Sequence, residues 1–85
     1  MSVPSQTYRL YDVIEGTADI TNKNYGNQTI TRFDIINLGS SEIVVSLGSL
    51  PDKTIPAGQS WGYFVDIDSF SVVANSNEYS IDIGV

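Results

Sequence analysis

The sequence predicts an all-β fold: a single small β-sandwich or jelly-roll-like barrel of about eight short antiparallel strands. Apolar residues recur at every second position in one run after another, and nowhere with the spacing of a helix. Clusters of Gly, Asn, Ser and Pro separate those runs at short intervals. The chain has 85 residues, 41% of them hydrophobic, which is enough for one two-layer core that buries about 60 to 65% of the unfolded surface. Domains of this size usually need a disulfide, a metal or a partner. With no cysteine and no histidine in the sequence, oligomerisation is the route left open.

Residues 1–6 (MSVPSQ) read as an extended arm and residues 7–85 as the sandwich domain. The first strand is expected over 7–14, with an ambiguous phase: Tyr8 and Leu10 share one face while Tyr11 and Val13 fall out of step. Glu15-Gly16 should break it, and a short strand over 17–21 carries Ala18 and Ile20 together. The turn-forming cluster 22–27 leads into a long strand over 28–37. There Phe33 and Ile35 share a face, Ile36 and Leu38 take the other, and a β-bulge near Ile35-Ile36 would reconcile them.

Leu38-Gly39-Ser40-Ser41 reverses the chain into a strand over 42–47, where Ile43, Val45 and Leu47 alternate. A loop over 48–52 and a short strand over 53–55 follow. Pro56-Ala57-Gly58-Gln59 suits a tight turn, because proline fixes φ and glycine accepts a positive one. The longest run begins there: Trp61, Tyr63, Val65 and Ile67 on the face assigned to the core, Gly62, Phe64, Asp66 and Asp68 on the other. A bend at Asp68-Ser69 leads to Phe70, Val72 and Ala74, and Asn75-Ser76-Asn77 turns into a last strand with Tyr79, Ile81, Ile83 and Val85 in phase.

Function is bounded mainly by what the residue types permit. The net charge is −6, and Arg9, Lys23, Arg32 and Lys53 stand singly, so no basic stripe exists to engage nucleic acid or an anionic membrane. The N-terminus lacks an apolar signal region, and no apolar run approaches the roughly 18 residues of a membrane span. Without His or Cys there is no nucleophile–base triad and no imidazole or thiolate ligand, and no cofactor is expected. Asp66 and Asp68 share a strand face as a carboxylate pair would, but a small sandwich offers no sugar-sized cleft around them. Calcium would need about six to eight oxygens. The pair reads as a solvated face and the chain as non-enzymatic. Trp61, Tyr63 and Tyr25, with Asn24 and Asn27, are the residue types of a sugar-binding module. Trp61 and Tyr63 share their face with Val65 and Ile67, however, and so read as core. Asn27-Gln28-Thr29 is an isolated glycosylation sequon.

Ile36, Val44, Phe64 and Val73 are apolar residues on the wrong phase for the core, each on a different strand. Monomers seldom expose large apolar patches, and so short a chain has little left for a covering layer. These four residues are therefore assigned to a subunit or partner interface.

The run Arg32-Phe33-Asp34-Ile35-Ile36-Asn37-Leu38-Gly39-Ser40-Ser41, followed by Thr54-Ile55-Pro56-Ala57-Gly58-Gln59-Ser60-Trp61, resembles a pattern of small β-sandwich virion proteins of tailed bacteriophages. The pattern is a strand, Asn-x-Gly, a strand, then I-x-A-G-x-x-W, and it covers about a third of the chain. The resemblance implies a capsid decoration or cement protein, or a neck or tail component, made in the host cytoplasm and located in the virion. It implies homo-oligomers, with a trimer favoured, bound to the major capsid protein or another virion protein. No site residues carry over. The alternative is a small sugar- or receptor-binding β-sandwich module.

Overall fold

Strands of this protein pair as a nest, the first with the last and so on inward to a central hairpin. The computed structural model describes residues 10–85; the arm expected over 1–6 and the start of the first strand at 7–9 lie outside the described residues. The elements are β1 (Leu10–Gly16), β2 (Ile20–Asn24), β3 (Ile30–Asn37), β4 (Ile43–Leu47), β5 (Lys53–Ile55), β6 (Ser60–Ile67), β7 (Ser69–Val73) and β8 (Tyr79–Gly84). Antiparallel pairs form between β1 and β8, β2 and β7, β3 and β6, and β4 and β5. Rolling this long hairpin adds β3 to β8 and β4 to β7. The result is two four-stranded sheets, β1-β8-β3-β6 (sheet A) and β2-β7-β4-β5 (sheet B), which is a jelly roll.

Alternation decides which residues meet between the sheets. Phe33, Ile35, Tyr79, Ile81 and Ile83 of sheet A face Ile43, Val45, Leu47, Phe70 and Val72 of sheet B, all buried. Phe33 and Phe70 meet edge to face with ring centroids 5.0 Å apart. The chain changes sheets at the single bend residue Asp68 between β6 and β7, where a bend was expected.

Four local expectations are corrected. Glu15 and Gly16 do not break β1, because they pair with Ser80 and Tyr79 of β8. The second strand sits later than 17–21, at Ile20–Asn24, so that the turn narrows to Tyr25–Gln28, closed by the Gln28 amide donating to the Tyr25 carbonyl at 3.1 Å. No bulge occurs at Ile35-Ile36, where the ladder to β6 and β8 is regular; Ile36 simply points outward. The irregularity lies earlier, between Ile30 and Arg32, and it lets Ile30 and Phe33 both enter the core. Tyr63 is on the inner face as expected, opposite Phe33, yet 49% exposed, because β6 is an edge strand and the facing β5 is too short to cover it.

One end of the sandwich is closed by two buried asparagines. The Asn37 side chain donates to the Ser41 carbonyl at 2.7 Å and the Ile55 carbonyl at 3.0 Å, and accepts from the Gly39 amide at 2.9 Å. Its backbone holds the Pro56–Gln59 turn: its amide donates to the Gln59 carbonyl, and its carbonyl accepts from the Gly58 amide, both at 2.9 Å. Asn77 grips the same loop, accepting from the Ser41 amide at 2.9 Å and donating to the Ala74 and Glu42 carbonyls at 2.9 and 3.3 Å. Gly39 is required here by space, since a Cβ would overlap the Asn77 side chain. Asn37→Leu should leave buried carbonyls unpaired and cost about 3 kcal/mol or more. Urea unfolding of the variant should show that loss as a lower midpoint, whereas Asn27→Ala, at an exposed position of the turn between β2 and β3, should shift it little.

Candidate functional site

The pairing registers lay out the outer face of sheet A in three rows across β1, β8, β3 and β6. They are Leu10, Gly84, Arg32 and Phe64; then Val13, Asp82, Asp34 and Gly62; then Glu15, Ser80, Ile36 and Ser60. Phe64 is 56% and Ile36 37% exposed, so both stand on this face as the sequence phase requires. Between them runs a charged stripe. The Arg32 guanidinium lies 4.4 Å from the Phe64 ring centroid and pairs with Asp34 at 2.7 Å. That geometry depends on Gly62, where a Cβ would fall on the Asp34 carboxylate and the Arg32 guanidinium. Asp34 sits directly opposite Asp82, a like-charge pair that Arg32 offsets. A groove of about 360 Å³ follows the stripe, lined among others by Arg32, Asp34, Ile36, Gly62 and Asp82.

Val44 and Val73 occupy the outer face of sheet B, directly opposite one another, with Thr54 beside Val44. Val73 is 46% exposed, while Val44, in an interior strand, is half-buried by these neighbours. The next row is polar: Ser46 faces Ser71, and the Ser46 hydroxyl donates to Asp52 at 2.9 Å. The four residues assigned to an interface thus point away from the core, but as two pairs on opposite faces of the sandwich.

The residue types of a sugar site are also divided. Trp61 and Tyr63 stack on one another at the open edge of sheet A, centroids 5.3 Å apart and planes 17° from parallel. Lys53 reaches over the Trp61 ring at 5.6 Å, and Leu47, Leu50 and Pro51 complete a groove of about 240 Å³. Tyr25 is instead held against β1, its hydroxyl donating to Asp12 at 2.7 Å and its ring meeting Tyr11 edge to face at 5.3 Å. The Asn24 side chain accepts from the Gly26 amide and so shapes the turn. Asp66 and Asp68 are exposed. Among the described residues no three His, Cys, Asp or Glu side chains gather to hold a metal ion, and no helix is long and apolar enough to cross a membrane. The role of Arg32, Asp34 and Gly62 was missed from the sequence, although residues two apart on a strand share a face and could have flagged the ion pair.

No protein family matches the sequence, and no curated protein matches it. Solved structures do match in fold. Protein NMB1881 from Neisseria meningitidis is similar over 100% of this chain and 89% of its own, with TM-score 0.56 and 10% identity. An RmlC-like cupin protein from Desulfovibrio desulfuricans is similar over 99% of this chain and 96% of its own, with TM-score 0.55 and 8% identity. A protein of the Bacillus endospore appendages, described as disulfide-linked pili, is similar over 100% of this chain and 96% of its own, with TM-score 0.51 and 12% identity. At such identities the likeness concerns the β-sandwich alone.

Burial, and then the hydrogen bond to the Asp12 carboxylate, push the Tyr25 phenol well above its ordinary pKa of 10.0. Burial, with Asp19 nearby, raises Tyr79 as well, whose hydroxyl donates to the Ala18 carbonyl at 2.6 Å. The folded chain therefore keeps protons that the unfolded chain releases from about pH 10 upward. Stability from both groups is full below that pH and falls as pH rises above it. Tyr25→Phe should cost about 1 kcal/mol at neutral pH and make the alkaline decline of the thermal midpoint shallower.

Proposed function

We propose that this chain is a non-enzymatic structural subunit of a phage particle, a decoration or cement protein that assembles with copies of itself and docks on a larger shell. The observation that carries the reading is the outward presentation of apolar side chains, above all Phe64 and Ile36 on sheet A. Jelly rolls serve capsid proteins, lectins and cupins alike, so the fold leaves the choice to the surface. The similar Bacillus protein belongs to pili described as disulfide-linked. This chain has no cysteine, and its assembly rests on non-covalent contacts. The sugar-binding alternative loses support from the geometry. Trp61 and Tyr63 cover each other's facing sides and Lys53 reaches over Trp61, which takes up ring faces that a sugar would stack on.

Because the outward pairs lie on opposite sheets, two variants separate their roles. Phe64→Glu replaces apolar contact on sheet A with a charge that a partner would have to desolvate, and Val44→Glu does the same on sheet B. Each should leave the strand-type circular dichroism intact, and the variant on the assembling face should weaken association about 100-fold or more, read by light scattering. Val45→Glu, fully buried in the core, should unfold the chain and calibrate the measurement. A monomeric wild type whose tryptophan emission responds to oligosaccharides would replace this reading with the sugar-binding one.

A further inference from the structure

We propose that residues 1–9 dock back across the outer face of sheet A, over Gly84 and against the Arg32–Phe64 pair, so that the chain covers one end of its own apolar face. Docking of this arm is independent of the self-assembling reading above; its consequence for assembly rests on that reading.

The burial of Gly84 is the first sign. The outward residues of β8 are Ser80, Asp82 and Gly84, and Asp82 is exposed while Gly84, at the end of the strand and without a side chain, is buried. Its neighbours in the row do not account for that cover. Leu10 on one side is 60% exposed, and the Arg32 guanidinium on the other is directed to the Phe64 ring and Asp34. Arg32 and Phe64 each make a contact beyond these, so this end of the face is not bare.

Connectivity names the occupant. Residue 9 is bonded to Leu10, which opens the row Leu10, Gly84, Arg32, Phe64 at one edge of the sheet. Phe64 lies three strand spacings away, about 14 Å, and nine extended residues span about 30 Å, so the arm reaches across the whole face. In phase with Leu10, Tyr8 returns to the outer side and brings a ring to the row. Pro4 lacks a backbone donor and suits a segment that lies on a face rather than one that pairs within a sheet. Charge agrees. All ten acidic residues lie within 10–85, whereas the charged side chain of residues 1–9 is Arg9. The three rows of the face carry Asp34, Asp82 and Glu15 against Arg32, so an arm without carboxylates is drawn to a surface that repels the acidic remainder of the chain.

The arm divides the face. Ile36 lies four residues along β3 from Arg32, about 13 Å, and stays open. Where sheet A assembles, a partner meets Ile36 directly and reaches Phe64 only by displacing the arm, which lowers its apparent affinity.

With no cysteine in the sequence, Ser5→Cys carries a single nitroxide label on the full chain. In dilute isotope-labelled protein the label should broaden the amide signal of Phe64, three strands from the point where the arm is attached, and spare Val44 and Val73 on the outer face of sheet B. Gly84→Val fills the seat at a position that does not have a positive φ, and Tyr8→Ser removes the ring. Each should abolish the broadening at Phe64 while keeping it at Leu10, with unchanged circular dichroism. By light scattering, Tyr8→Ser should associate more tightly than the wild type, because the arm no longer competes. A Phe64 signal untouched by the label would overturn the docking and leave self-assembly standing. Broadening seen only between labelled and unlabelled copies in a mixture would overturn the intramolecular seat by placing the arm on a second copy. A docked arm with association unchanged in Tyr8→Ser would overturn the competition, and a docked arm on a chain that stays monomeric would overturn the self-assembling reading alone.

Discussion

Ser41 is held from both sides, its carbonyl by Asn37 and its amide by Asn77, and the rest of the architecture depends on that clamp. Asn37 ends β3 in sheet A, Asn77 lies in the turn between β7 and β8, and the loop they grip leads into β4 of sheet B. The same Asn37 ties Ile55 and the Pro56–Gln59 turn. One side-chain network thus fixes three connections between the sheets. A jelly roll gains its contacts late, because its outermost pair joins β1 to β8 across nearly the whole chain and loop closure must be met first. A fully satisfied polar knot at one end gives those distant pairings a common reference. Left half-satisfied in a dry site, it would cost more than an apolar replacement.

The knot also explains why two separated stretches of sequence carry one pattern. Asn37-Leu38-Gly39 and Ile55 through Gln59 are not independent turns; they are bonded to each other, the first supplying donors and acceptors for the second. Gly39 follows from the same packing, since Asn77 fills the space a side chain would need. A glycine chosen for space and an asparagine chosen for three buried hydrogen bonds look, in sequence, like an ordinary loop.

The fold class was legible because alternation is a direct record of a two-sided sheet: Ile43-Val45-Leu47 and Tyr79-Ile81-Ile83 can be buried only as strands. What alternation records is a face, and not a place in the sheet. Tyr63 has the phase of Phe33's neighbour and still stands half in solvent, because β6 is an edge. Ile36 and Val44 share the outward phase yet lie on opposite sides of the molecule, because strand order is set by the rolling of the hairpin and leaves no periodic trace. The expected bulge at Ile35-Ile36 failed for a related reason. It presumed that every apolar residue must be internal, whereas the ladder there is regular and Ile36 belongs outside. Asn37 escaped notice because an asparagine at a strand end reads as turn chemistry until its three partners are seen.

Edge chemistry and surface chemistry meet at one point of the structure. Gly62 weakens β6 as a strand, since it packs nothing and has more backbone freedom to lose. That weakness would be expected to draw a larger residue unless the space were needed. On its own sheet the space is used by the Arg32–Asp34 pair, which lies over Gly62 and brings the guanidinium against Phe64. The glycine thereby lets Arg32 offset the facing carboxylates Asp34 and Asp82. An alanine there would push aside the half-buried Arg32–Asp34 pair and leave Asp34 facing Asp82 without its cation, so the constraint on residue 62 comes from this charge arrangement.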